Sequence, residues 1–248
     1  MAETLRPRKV PEDRILITGI PTRPAFRESY DKRLIRESRG LPQDKRVVLA
    51  LAGAYLPRPY VHFRTALDKL LPYLHGFDDT LHFVFVAGSD ADYARHLRQE
   101  CDDLGLSNAT VLDYVDDMAA LMAASDLVIC KSGGLTVTEC LCAQVPMILL
   151  GKAYGQEKVN VQMLTSLGAA MHVTTARELL DTLRHVARNP ESAHAMLING
   201  SFLRHPNAAE DIANATLRLI AAPKNPDDPR YRKHLLHFYW GKKPAHIR

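Results

Sequence analysis

The chain has 248 residues, is 46% apolar and 24% charged, and carries a formal net charge of +4 with a pI near 8.9. That length can bury a sizeable core as one large domain or two small ones, and the composition is that of an ordinary globular chain. No apolar run approaches the roughly 20 residues that span a bilayer, the first ten residues lack the apolar core of a signal peptide, and so mild a charge is mainly a solvated surface rather than a nucleic-acid footprint.

Apolar runs of strand length recur with helical patterns between them. The early run Ile15–Ile20 reads as a strand, inside a Pro-rich, charged stretch with no core of its own. Val47–Ala52 is the next strand, and Tyr60–Leu74 follows with helical spacing. His82–Ala87 is a strand and Ala91–Leu104 a helix. Thr110–Asp113 is a short strand. Met118–Ala124 is a short helix with Asp116 or Asp117 as its N-cap. Leu127–Cys130 and Met147–Leu150 are continuous apolar strands that flank a helix over Thr136–Ala143. A helix over Lys158–Leu167, a strand near Ala170–Val173 and a helix from Ala176 to Arg188 complete the series. Strands alternating with helices predict parallel βαβ units. Continuously apolar strands predict a sheet covered on both faces.

The four cysteines, Cys101, Cys130, Cys140 and Cys142, form no CxxC pair and have no histidine at ligand spacing. They read as buried, reduced thiols, and no metal site is expected. Basic residues gather near the C-terminus as Arg230, Arg232, Lys233, Lys242, Lys243 and Arg248, interleaved with Phe238, Tyr239 and Trp240. This tail matches no nucleic-acid motif, and its chemistry suits phosphate, lipid headgroups or a neighbouring protein surface.

The stretch with the sharpest chemistry is Lys131-Ser132-Gly133-Gly134-Leu135-Thr136-Val137-Thr138-Glu139. It leaves an apolar strand through paired glycines and enters a helix. Glycines let backbone N–H groups approach an anion, and the helix dipole favours negative charge there. Glu139, one turn further in, is placed to accept hydrogen bonds from a ribose. Thr136 and Glu139 also fit the S/T-x-x-E capping box, which needs no ligand. The glycines before and Gln156-Glu157 after favour the binding reading. Gln156-Glu157 also reads as a plain helix start after Gly155, Asn160 as a solvated helix residue, and Lys131 as a phosphate screen or the partner of a surface acid.

Several residues in order resemble the C-terminal, donor-binding domain of glycosyltransferase family 28. They are Asp116-Asp117-Met118, Ser125-Asp126, Lys131 to Thr136, Glu139, Pro146, and Gly155-Gln156-Glu157-Lys158 with Asn160. Gly19-Ile20-Pro21-Thr22-Arg23-Pro24-Ala25-Phe26 resembles the inter-domain linker of the diacylglycerol enzymes in that family, which also holds the lipid II-forming N-acetylglucosaminyltransferase. The likeness covers roughly residues 14–200, about three quarters of the chain.

It implies an α/β fold, a Rossmann-like parallel sheet with helices on both faces, forming the C-terminal half of a GT-B glycosyltransferase. Residues 1–30 are then a linker or N-terminal arm, 31–221 the UDP-sugar-binding domain, and 222–248 a basic, aromatic tail. The backbone around Tyr114 and Val115 is implied to read uracil. Ser132, Gly133, Gly134 and Thr136 are implied to hold the diphosphate, Glu139 the ribose, and Gln156, Glu157 and Asn160 the sugar. The UDP-sugar is a substrate, and neither a cofactor nor a metal is implied.

The implied reaction moves a hexose or N-acetylhexosamine to a lipid, diacylglycerol first among them, in the cytoplasm and peripherally at the inner membrane surface. Two departures limit the likeness. The family's second glycine-rich loop reads Ala50-Leu51-Ala52-Gly53-Ala54-Tyr55-Leu56-Pro57, with Gly53 alone remaining. The family's N-terminal domain, with the acceptor site and usual general base, has no counterpart here. The acceptor is therefore assigned to that domain or to a partner subunit, and no catalytic residue is carried over; His62, His75 and His82 match no motif. A nucleotide-sugar epimerase-like half and a non-catalytic interaction module that has lost nucleotide binding are the alternatives.

Overall fold

The computed structural model describes Glu12, residues 15–53 and residues 61–221. Six strands form one sheet: β1 (Arg46–Leu51), β2 (Leu81–Val86), β3 (Ala109–Leu112), β4 (Leu127–Cys130), β5 (Met147–Leu150) and β6 (Met171–Val173). Their order is β3-β2-β1-β4-β5-β6, and every pairing is parallel. Strand order reverses between β1 and β4, and ligands of such sheets sit beyond the carboxyl ends at that reversal.

The helices are α1 (Lys32–Ser38), α2 (Val61–Asp68), α3 (Ala91–Asp103), α4 (Met118–Ala124), α5 (Gly134–Cys142), α6 (Gln156–Ser166), α7 (Ala176–Arg188), α8 (Pro190–Gly200) and α9 (Ala208–Ala221). Alternate residues of each strand enter opposite cores, as the period-2 side-chain direction requires. Val48, Ala50, Phe83, Phe85, Ile129 and Ile148 face the core built with α2, α3, α7 and α8. Val47, Leu49, Val84, Val128, Cys130 and Leu149 face the core built with α4, α5 and α6. A sheet apolar on both faces therefore carries helices on both. The chain divides after Ala209: the described residues before it make one compact unit, and α9 from Glu210 belongs to a second.

The structure corrects four local expectations. Residues 15–20 form no strand. The pattern from Tyr60 to Leu74 is two pieces, α2 and a 3-10 turn over Leu71–Phe77 with Pro72 in its first turn; Tyr60 itself lies outside the described residues. Asp117 holds the N-cap position of α4, but its side chain does not cap; the carboxylate pairs with Arg39. α5 starts at Gly134 rather than Thr136.

Three helices were not legible in the sequence. α1 buries Arg36, not an apolar stripe. Arg36 donates through Nη2 to Asp126 Oδ2 (2.5 Å) and through Nε to the Ala124 carbonyl (2.9 Å). Asp126 also accepts from Lys32 Nζ (2.5 Å) and from the Val47 amide (2.7 Å), so one carboxylate joins α1, the start of β1 and the end of α4. α8 follows α7 across Asn189 with Pro190 at its first position. α9 has Ala208 as its one buried residue.

Candidate functional site

β4 ends at Cys130 in the core, and the chain turns through Lys131, Ser132 and Gly133 into α5. Gly133 is the N-cap, in extended backbone (φ −65°, ψ 137°), and no side chain caps the helix. The first intrahelical bond runs from Val137 N to Gly133 O at 3.0 Å. The amides of Gly134, Leu135 and Thr136 therefore precede the helix's own ladder. This overturns the capping-box reading of Thr136 and Glu139: Thr136 is the third residue of the helix, not its cap. What remains is an uncapped helix start at the carboxyl edge of β4, beside the strand-order reversal, a place whose free amides and dipole favour negative charge.

Glu139 lies one turn into α5 and is half-buried. Burial raises its pKa above the ordinary carboxylate value, and the charge of Arg23 opposes that rise. Arg23 was read as part of a linker, yet it belongs to the site's surroundings. Its Nη1 donates to the Asp116 carbonyl at 3.2 Å, and its guanidinium lies 5.8 Å from the Phe26 ring centroid. Phe26 is 2% exposed and anchors this segment in the core. A Cβ on Gly134 would stand 3.1 Å from Ile20 Cδ1, so the same segment passes over the helix start. Arg23 lies between Pro21 and Pro24; two prolines fix a local path, the only sequence signal it offered.

The third element is α6. Its N-cap, Gly155, has φ 52° and ψ −122°, a backbone that needs glycine. The turn starts the helix at Gln156, two residues before the expected Lys158. Asn160 is no solvated residue: its Nδ2 donates to the Ser132 carbonyl at 2.8 Å. Glu157 Oε1 is 3.5 Å from Lys131 Nζ. Burial lowers the Lys131 pKa, with Glu157 acting against it.

The structure thus joins Ser132, Gly133, Gly134, Glu157 and Asn160, with Thr136 and Glu139 further along α5. Gln156 is exposed at the first turn of α6. Tyr114 and Val115 sit on the loop between β3 and α4; Tyr114 is exposed and Val115 packs on the core. Arg23, through Asp116, links that loop to the neighbourhood of Glu139.

Gly53 has a structural reason to be glycine. A Cβ there would lie 2.5 Å from the Ala87 carbonyl carbon and the Gly88 amide nitrogen, so two loops touch at main-chain distance after β1 and β2. Residues 54–57 lie outside the described residues. His75 bonds the Leu104 carbonyl and Asp78, and His82 bonds Thr110 Oγ1 within the sheet, both away from the α5 start. All four cysteines are buried and unbridged. A cavity of about 270 Å³ lined by Arg46, Leu81, Leu127 and Pro146 opens at the amino ends of the strands, the edge opposite the site. No helix among the described residues is long and apolar enough to cross a membrane.

Residues 64–213, more than half of the chain, match the glycosyltransferase family 28 C-terminal domain. The chain is 31% identical over 207 residues to a processive diacylglycerol beta-glucosyltransferase of Bacillus subtilis, covering 82% of this chain and 51% of the relative. It is 25% identical over 224 residues to a UDP-N-acetylglucosamine–N-acetylmuramyl-(pentapeptide) pyrophosphoryl-undecaprenol N-acetylglucosamine transferase of Myxococcus xanthus, covering 88% of this chain and 55% of that one. Among solved structures, Anabaena HepE in complex with UDP-glucose superposes with a TM-score of 0.56 at 18% identity, over 79% of this chain and 53% of that one. The chain thus spans about half the length of the curated relatives it matches.

Proposed function

The chain belongs to the glycosyltransferase family 28 C-terminal domain family, with the fold of a GT-B donor half, and on that footing we propose that it binds a UDP-sugar for transfer to a lipid acceptor. The observation that carries this reading is the uncapped start of α5 at Gly133–Gly134, with Glu139 half-buried one turn on and Asn160 fastening α6 alongside. An uncapped amide cluster accepts the diphosphate. A carboxylate that accepts from vicinal hydroxyls suits the ribose. Gln156 and Glu157 then stand at the end of α6 that faces a sugar linked to the β-phosphate.

During transfer, charge develops on the departing diphosphate, and fixed amide donors stabilise it without reorganising. The cradle therefore contributes electrostatic stabilisation of the leaving group. The acceptor, the general base and the membrane-facing surface belong to the other half, supplied by the same polypeptide or by a partner. Diacylglycerol is the acceptor we favour, because the first relatives act on it by name.

Base selectivity tests the proposal. Titrating the chain with UDP, ADP and GDP in a calorimeter is expected to show UDP binding at least about tenfold tighter, a difference of about 1.4 kcal/mol. Equal affinities would mean a generic anion site and would reject the nucleotide assignment.

A further inference from the structure

We propose that the cavity at the amino ends of the strands is a second binding site, separate from the α5 start, and that its ligand is a small single-chain carboxylate, an apolar tail of about eight carbons with one anionic head.

The first observation is a gradient of polarity. The cavity holds about 270 Å³. Val48, Leu81 and Leu127 line it from three neighbouring strands and Leu183 from α7, and each is 3% exposed or less. Toward solvent the lining changes character: Gln144 and His194 are exposed, and Lys32 keeps 41% of its side chain in water. The depths are therefore apolar and the mouth mainly polar. An apolar cavity of roughly 150 Å³ takes up benzene, so this one has room for a longer chain. Each methylene moved from water into it adds about fourfold in affinity.

The second observation is the balance of charge. Asp126 is the one carboxylate in the lining, and it is committed at 2.5 Å to Lys32 Nζ and at 2.5 Å to Arg36 Nη2. Arg46 is half-buried in the same lining and meets only carbonyls: Nη1 donates to Val186 at 2.9 Å and Nη2 to Ala187 at 2.5 Å. Neutral acceptors leave its charge without a counter-ion among the described residues, and a guanidinium with N–H groups to spare suits a carboxylate. The third observation is the backbone of Gln144. Its φ of 54° makes it the one non-glycine residue in the left-handed region among the described residues, at the position after the C-cap of α5. Glycine takes that conformation without strain. A glutamine held there instead brings an amide donor to the mouth of the cavity, where it can join Arg46 on an anionic head. An alcohol of the same length would fill the apolar depths and leave Arg46 unanswered. Acetate would answer Arg46 and leave the depths empty.

The test is titration of the full chain at pH 7 with octanoate, 1-octanol and acetate, followed by methyl NMR of leucine- and valine-labelled protein and by Tm. Octanoate is expected to shift the Leu81, Leu127 and Leu183 methyls saturably, to bind at least about tenfold more tightly than octanol, and to raise Tm as a ligand of the folded state must. Acetate is expected to shift none of them. Arg46→Met keeps the aliphatic stem and removes the charge; it is expected to lose about tenfold in octanoate affinity and nothing in octanol affinity. Arg46 also closes the end of α7, so Ala193→Leu, which fills the cavity from α8, is the second variant; it is expected to abolish binding of both ligands with Tm unchanged or higher. Gln144→Gly is expected to bind octanoate about threefold more weakly with Tm no lower. Absence of a saturable shift at these methyls, or unchanged octanoate binding in Ala193→Leu, would overturn the site. Octanol bound as tightly as octanoate, or equal losses of both in Arg46→Met, would overturn the carboxylate assignment.

Discussion

The side-chain amide of Asn160 donates to the main-chain carbonyl of Ser132 at 2.8 Å, joining α6 to the loop that opens α5. The two helices follow adjacent parallel strands, β4 and β5, so their starts emerge side by side at one edge of the sheet. The hydrogen bond turns that neighbourhood into a fixed geometry: the start of α6 and the loop that opens α5 hold one register.

Asn160→Ala removes this strap and leaves a carbonyl of the buried Ser132 without its donor. A lost hydrogen bond of this kind is expected to cost about 1 kcal/mol of stability, or roughly 2–4 °C in Tm for a chain of this size. UDP-sugar affinity should fall more than UDP affinity, because the proposed sugar contacts lie on α6. Differential scanning calorimetry and titration with both ligands check this; equal losses would detach α6 from the sugar.

Gly134→Ala tests the cradle with little effect on the fold. The new methyl meets the flexible end of Ile20, 3.1 Å away, which can give. It also intrudes on the space where an anion meets the first amides of α5. We expect an unchanged circular dichroism spectrum and at least about tenfold weaker UDP binding, roughly 1.4 kcal/mol.

Glu139 predicts a pH dependence of opposite sign for stability and for binding. Burial raises its pKa, the Arg23 charge only partly offsetting this, so the folded state holds the proton more tightly than the unfolded chain. Above the raised value the ionised group opposes folding; as pH falls through it, this unfavourable contribution disappears. In the proposed ribose role the carboxylate must be ionised to accept, so UDP affinity should fall over the same range. Glu139→Gln is expected to melt higher at neutral pH, bind UDP more weakly, and lose the pH dependence of binding. Lower stability in Glu139→Gln would contradict the burial argument.

Asp126 behaves in the reverse sense. Burial alone would raise its pKa, but the hydrogen bonds and charges of Lys32, Val47 N and Arg36 outweigh it and hold the carboxyl below the ordinary value of 3.8. Its stabilising contribution is complete above that ordinary value and is lost as pH falls through the depressed one. Asp126→Ala leaves buried Arg36 without its counter-charge and is expected to cost about 3 kcal/mol or more, measured by urea denaturation at pH 7. Ser125-Asp126 formed part of the family likeness, and the structure gives the carboxylate an architectural task.

The central sheet was legible because its strands are short, apolar on both faces and separated by amphipathic helices. β4, β5, α4 and α7 begin and end where the residue pattern puts them. The turn from β4 into α5 was legible because paired glycines after a buried strand break it ahead of a helical pattern. Part of what escaped reading is held by polar contacts instead of apolar periodicity. α1 is fixed by Arg36 and Asp126, and the Asn160 contact joins residues 28 apart in sequence. The capping box misled because Thr136 and Glu139 keep the right spacing inside a helix that had already begun two residues earlier. Arg23 and Ile20 escaped because their neighbours, Asp116 and Gly134, are far along the chain. No local pattern reports such a contact.

The measurement that bears most directly on the account is calorimetric titration of the unmodified chain with UDP beside Glu139→Ala. The account predicts saturable one-to-one binding in the micromolar to millimolar range and at least about tenfold weaker binding in the variant. Absence of UDP binding, or equal affinity in the two proteins, would contradict it.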